Sequence, residues 1–138
     1  VVQELLGVGG QVARHRFGCR VLERLLEHGC WRTSGLVAEV LQDVLDLSTH
    51  PYGNFVVQHI LEHGTEEQRS LVVEALRPEV RRLARHKSAS HVVEKALQYS
   101  TPEARELLKQ AIIGDAEELL RLSHSNYGSF VAKAMRRR

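Results

Sequence analysis

The chain has 138 residues and a formal charge of only +2, with 43% hydrophobic and 5% aromatic residues. That length allows one compact domain, and no apolar run reaches the roughly 18 residues that a membrane-spanning helix needs. The charge, with a pI near 8.7, hints weakly at a polyanionic partner, so any positive character has to be local to matter. Cys19 and Cys30 lack a metal-ligand spacing and read as reduced thiols of an intracellular protein. No secretory leader is legible.

In chain order, the first informative segment is Phe17-Gly18-Cys19-Arg20-Val21-Leu22-Glu23-Arg24. It returns as Tyr52-Gly53-Asn54-Phe55-Val56-Val57-Gln58-His59, as Ser88-Ala89-Ser90-His91-Val92-Val93-Glu94-Lys95, and as Tyr127-Gly128-Ser129-Phe130-Val131-Ala132-Lys133-Ala134. From Phe17 to Tyr52, Ser88 and Tyr127 the spacings are 35, 36 and 39 residues. A period of that size means stacked supersecondary units rather than one globular core.

With Cys19, Asn54, Ser90 and Ser129 taken as offset zero, offsets 2, 3, 6 and 7 are apolar. They are Val21, Leu22, Leu25, Leu26; Val56, Val57, Ile60, Leu61; Val92, Val93, Ala96, Leu97; and Val131, Ala132, Met135, where Arg136 breaks the set. Pairs three and four apart form one stripe of an amphipathic helix. Gly29 and Gly64 close the first two such helices as C-caps. The residue before offset zero is always small, which lets neighbouring backbone approach closely. Between these helices, Thr65 to Leu76 reads as a helix ending before Pro78, and Glu103 to Ile113 as one with Thr101 as N-cap and Pro102 at its first position. Shorter lead-in helices are predicted over Asp43–Thr49, Pro78–His86 and Asp115–His124. Each unit is thus about three helices, with an insertion near Gly114. No strand pattern is present.

The variable columns carry the chemistry. Offsets 0 and 4 lie on one helical face and form a clamp on the side away from the core: Cys19 with Glu23, Asn54 with Gln58, Ser90 with Glu94, Ser129 with Lys133. Offset 1 projects beside it toward the seam between repeats, as Arg20, Phe55, His91 and Phe130. An aromatic on the polar face has no core to fill, and planar groups at one-repeat spacing suit stacking between successive bases. The Asn54 and Gln58 amides are both donor and acceptor, matching the uracil edge. Glu94 and Glu23 are acceptor-only, matching the adjacent N1–H and N2–H₂ of guanine. Lys133 is donor-only and fits a base carbonyl or a phosphate. Arg24, His59 and Lys95 at offset 5 read by themselves as a surface charge row. His15, His50 and His86 stand too far apart for a metal site and take a structural role near helix starts. His28 and His63, before the capping glycines, are placed to meet helix C-terminal carbonyls. The Arg81, Arg82, Arg85 and Lys87 cluster reads as a solvated face.

His50 to Gly64 and His86 to Lys95 are very close to the repeat pattern of the Pumilio (PUF) family, which the whole chain resembles, most closely in that family's last four repeats. The resemblance implies an all-α, right-handed α-solenoid of about four three-helix repeats. It also implies single-stranded RNA bound on the concave face, one base per repeat and antiparallel to the protein, with the RNA backbone near the offset-5 column of Arg24, His59 and Lys95. Uracil then falls to Asn54/Gln58 and guanine to Ser90/Glu94. With guanine also for Cys19/Glu23, the expected core is 5′-N-G-U-G-3′. Two repeats depart from the family pattern, which commonly carries Gln where Glu23 stands, and Asn and Gln where Ser129 and Lys133 stand. The resemblance further implies post-transcriptional control of messenger RNA in the cytoplasm, with nuclear or nucleolar placement as the variant, and repressor or deadenylase proteins on the convex face. No catalytic residue, cofactor or metal is expected. The chain is read as one domain over 1–138, cut from a longer array at Val1 and Arg138. The competing readings are an α-solenoid protein scaffold and a ribosome-biogenesis factor with looser RNA specificity.

Overall fold

The computed structural model describes residues 6–27, 34–114 and 116–136. Among them eleven α-helices form and no strand does. The first repeat contributes α1 (Gly9–Ala13), α2 (Gly18–Glu27) and α3 (Ser34–Leu41). The second contributes α4 (Val44–Ser48), α5 (Gly53–His63) and α6 (Glu66–Leu76). A 3₁₀ turn over Arg77–Glu79 opens the third, followed by α7 (Val80–Leu83), α8 (Ala89–Tyr99) and α9 (Pro102–Ile113). The fourth holds α10 (Ala116–His124) and α11 (Gly128–Arg136).

Neighbouring repeats stack their middle helices side by side, in the order α2, α5, α8, α11, while α3, α6 and α9 form a second row behind them. The apolar stripe expected from the sequence is the glue: Val56, Val57, Ile60, Leu61, Val92, Val93, Ala96 and Leu97 are fully buried. Val21 is the exception, at 42% exposed. Val21 belongs to α2, which has no middle helix before it among the described residues. Burying a side chain of this size is worth about 1.5–3 kcal/mol, so a continuous stripe over successive helices is the main cohesive term.

Local signals set the helix ends. Thr65 accepts from the Gln68 N–H while the Gln68 side chain accepts from the Thr65 N–H, a reciprocal capping box. Thr101 accepts from the Ala104 N–H at 3.2 Å, and Pro102 occupies the first turn. Gly64 does end α5, but with extended backbone (φ −73°, ψ 171°) rather than a left-handed cap. A Cβ there would stand 2.4 Å from the Ile60 carbonyl oxygen, so close approach is what demands glycine. Gly29, Cys30 and His28 lie outside the described residues. The longer last spacing is taken up by α10, nine residues against four in α7, after Gly114 at φ +61°.

The small column before offset zero has a direct cause. A Cβ on Gly18, Gly53 or Gly128 would meet the carbonyl oxygen six residues earlier, of Val12, Leu47 or Leu122, at 2.7, 3.0 or 2.8 Å. The lead-in helix therefore packs backbone-close against the start of the middle helix, which fixes where offsets 0, 1 and 4 point. No helix of the described residues is long and apolar enough to cross a membrane.

Candidate nucleic-acid interface

Each middle helix begins with the same hydrogen-bonded turn. The His15 Nδ1 accepts from the N–H groups of Phe17 and Gly18, both at 3.1 Å. His50 does the same for Tyr52 and Gly53, and His86 for Ser88 and Ala89. In the fourth repeat Ser125 takes this place, its Oγ accepting from the Gly128 N–H at 2.8 Å. These groups occupy N–H donors that a helix start leaves without partners.

The offset-zero side chains then form a second constant bond, each to the carbonyl three residues earlier. Cys19 Sγ reaches Arg16 O at 3.4 Å, Asn54 Nδ2 reaches Pro51 O at 3.0 Å, Ser90 Oγ reaches Lys87 O at 3.4 Å, and Ser129 Oγ reaches Asn126 O at 3.3 Å. Three of the four are buried: Cys19 at 3%, Asn54 at 2% and Ser90 at 0% exposure. This corrects the expectation that offset zero stands on the face away from the core. On a helix of 3.6 residues per turn, offset 0 lies only about 20° from the buried offset 7. Offset 4, at about 40°, is half-buried in Glu23, Gln58 and Glu94, and Lys133 is exposed. Offset 1, at about 100°, is exposed in all four repeats.

The clamps therefore differ in depth. In the second repeat Gln58 Nε2 donates to Asn54 Oδ1 at 2.9 Å, while Asn54 Nδ2 also donates to His50 O at 2.8 Å. Asn54 holds Gln58 in place, and its oxygen keeps a second lone pair. In the third, Glu94 sits 3.4 Å from His91 Nδ1. In the first, burial, with Glu23 adding to it, pushes the Cys19 thiol up, so it stays protonated and unreactive.

The offset-1 column stands on the exposed side of the middle helices. Phe55 is 48% and Phe130 45% exposed. The His91 and Phe130 ring centroids lie 6.4 Å apart with 35° between planes. Between α2 and α5 a groove of about 730 Å³ opens, lined by Cys19, Arg20, Glu23, Tyr52 and Phe55. Cys19 and Glu23 of the first repeat thus share one groove with the planar offset-1 side chains of two successive repeats. Tyr52 was not singled out by sequence reasoning as a lining residue; the recurring Phe17, Tyr52, Tyr127 column was its signal.

Two residues of the offset-5 row are engaged between repeats. His59 Nε2 meets Glu27 Oε1 at 3.0 Å, and Lys95 Nζ is ion-paired with Glu62. The carboxylates stand at offset 8 of the preceding repeat. Lys95 holds the Glu62 carboxyl below its ordinary value, with a smaller help from His59 and His63. A phosphate at His59 or Lys95 would compete with these pairs; Arg24 is exposed and has no such partner among the described residues. In the charged cluster, Arg81 Nε donates to Ala111 O and Arg82 pairs with Glu79. Among the described residues no three His, Cys, Asp or Glu side chains form a metal-binding group.

The family model described as the Pumilio-family RNA binding repeat matches residues 10–30, 43–77 and 79–113. The chain belongs to this family. The fourth repeat lies outside the matched segments; Ser125 stands in for the histidine at its helix start, and α11 packs on α8. No curated protein matches. Among solved structures, the Puf3 RNA binding domain bound to the Cox17 RNA 3′ UTR recognition sequence site A is similar with a TM-score of 0.91 at 22% identity, over 98% of this chain and 39% of that one. PUF-8 in complex with PBE-RNA is similar at 0.86 and 28% identity, over 97% and 41%. The RNA-binding domain of yeast Puf5p bound to MFA2 RNA is similar at 0.84 and 21% identity, over 97% and 38%. The chain thus spans about two fifths of these Pumilio-family domains, whose solenoid fold it shares.

Proposed function

We propose that the row of middle helices binds single-stranded RNA by sequence, one base per repeat, with a core of 5′-N-G-U-G-3′. The observation that carries this reading is the groove between Arg20 and Phe55, walled by Cys19 and Glu23. His91 and Phe130, the offset-1 pair two repeats on, also neighbour each other across a seam. Bases stack on the offset-1 groups, and the clamps read their edges. Glu23 and Glu94 accept from guanine N1–H and N2–H₂, and Gln58, set by Asn54, reads uracil. Arg24, His59 and Lys95 supply backbone contacts where their carboxylate partners release them. No catalytic step belongs to this reading.

The biological setting follows as part of the proposal: control of messenger RNA in the cytoplasm, by recruiting repressor or deadenylase proteins. One observation favours a protein partner on the outer row. Leu71 of α6 and Leu107 of α9 occupy the same column, 52% and 44% exposed.

Selection of bound RNAs from a random pool tests the base order and should return a G-U-G step; its absence would discard the clamp assignments. A gel shift over a salt series separates RNA binding from a pure scaffold. An RNA binder loses affinity linearly in log salt, by about 0.7 per phosphate neutralised on a single strand.

A further inference from the structure

The fourth clamp departs in kind from the other three. Ser129 donates its hydroxyl hydrogen to Asn126 O at 3.3 Å, so toward a ligand it offers lone pairs. Lys133, four residues on, is exposed and has no carboxylate partner among the described residues. The other offset-4 side chains are half-buried acceptors or amides: Glu23, Gln58 and Glu94. Phe130, 45% exposed, supplies a stacking face beside it. The bland alternative is that Lys133 merely offsets the negative end of α11, whose last turn also carries Arg136.

We propose that Ser129 and Lys133 form a cytosine-reading clamp, so that the unassigned first base of the RNA is cytosine. The inference rests on the RNA reading above and deepens it. If Glu94 accepts from guanine N1–H and N2–H₂, offset 4 faces the side of a base edge that carries N1 and N2 in guanine, and N3 and O2 in a pyrimidine. A donor-only ammonium at that offset needs acceptors there. Cytosine presents two, N3 and O2, and its N4 amino group meets the Ser129 lone pairs. Uracil places N3–H against the ammonium. Adenine offers only N1. Guanine offers two donors and is the worst fit. One charge-assisted contact to an acceptor pair should favour cytosine over guanine by about tenfold, toward the low end of discrimination by paired base contacts.

The experiment compares four RNAs, 5′-N-G-U-G-3′ in a common flank, with N as each base, against wild type, Lys133→Met and Lys133→Glu. Cytosine should rank first and guanine last for wild type. Lys133→Met should flatten the ranking, and Lys133→Glu should move the preference to guanine, as in the Ser90/Glu94 pair. Changes at the core G-U-G should cost every variant the same factor. Equal wild-type binding of all four, with Lys133→Met weakening each equally and reducing the salt slope by about 0.7, would make Lys133 a phosphate contact and overturn the inference alone. If neither N nor the G-U-G core affected binding, the sequence-specific reading itself would fall, and this inference with it.

Discussion

At the scale of single residues, depth on the helix decides role. Phe55 is 48% exposed while Val56 beside it is fully buried, so the two side chains serve different ends although both are apolar. Phe55→Ala should weaken RNA binding by about 1–3 kcal/mol, the range for losing one base–aromatic stack. It should leave the melting temperature nearly unchanged; a marked drop would show that Phe55 acts as core. Glu23 is half-buried in the wall of the Arg20–Phe55 groove. A carboxylate only accepts, which suits guanine. Glutamine of nearly the same size both donates and accepts, which suits adenine's N1 and amino group. Glu23→Gln should therefore shift the base preferred at the first-repeat position from guanine to adenine, by about 1–3 kcal/mol. Titration of four RNAs differing only there reads the shift, and an unchanged ranking would remove Glu23 from the base edge.

At the scale of elements, the start of each middle helix is the precision part. His50 Nδ1 holds the Tyr52 and Gly53 N–H groups at 3.1 Å, and the turn so formed aims Asn54 and Phe55. His50→Ala should cost about 1 kcal/mol of stability, the usual loss on removing a helix-start cap. His50→Ser should recover part of it, because Ser125 performs the task in the fourth repeat. Denaturant midpoints of the two variants measure this. Equal losses for Ala and Ser would mean that the imidazole contributes through packing rather than through its acceptor nitrogen.

At the scale of the whole molecule, repeats are held by apolar stripes and by polar ties across the seams, Arg14 with Asp43 and Asp46 among them. Glu27–His59 and Glu62–Lys95 link the first two seams. Gln98 and Ala134 occupy those columns at the third seam. Arg105 ties that one instead, donating to Leu97 O and Ala134 O, both at 2.9 Å. The Lys95 hydrogen bond lowers the Glu62 carboxyl below its ordinary 4.5. A lowered carboxyl stabilises the fold fully above that ordinary value, and its contribution is lost as pH falls through the folded one. With 24% and 30% of the two side chains exposed, the pair is worth about 0.5–1 kcal/mol. Glu62→Gln should reduce stability by that amount at pH 7. Below pH 4.5 the gap to wild type should close. A gap that stayed constant down to acid pH would exclude the ion pair as its source.

The repeat period, the apolar columns and the caps at Thr65, Thr101 and Pro102 were legible in the sequence because each rests on local spacing within one or two turns of helix. So was the exposure of Arg20, Phe55, His91 and Phe130, which follows from their angle to the stripe. The burial of Asn54 and Ser90 was in principle readable from the same wheel, since offset 0 borders offset 7, but how deeply they sink depends on the neighbouring middle helix. Only the tertiary structure decided which groups meet across 32 or 33 residues: His59 with Glu27, Lys95 with Glu62. It also set the 6.4 Å between His91 and Phe130 and the groove between Arg20 and Phe55. These depend on how far each repeat turns and shifts against the next. That displacement is fixed by backbone-close packing and side-chain volume across the seam, which no local pattern encodes.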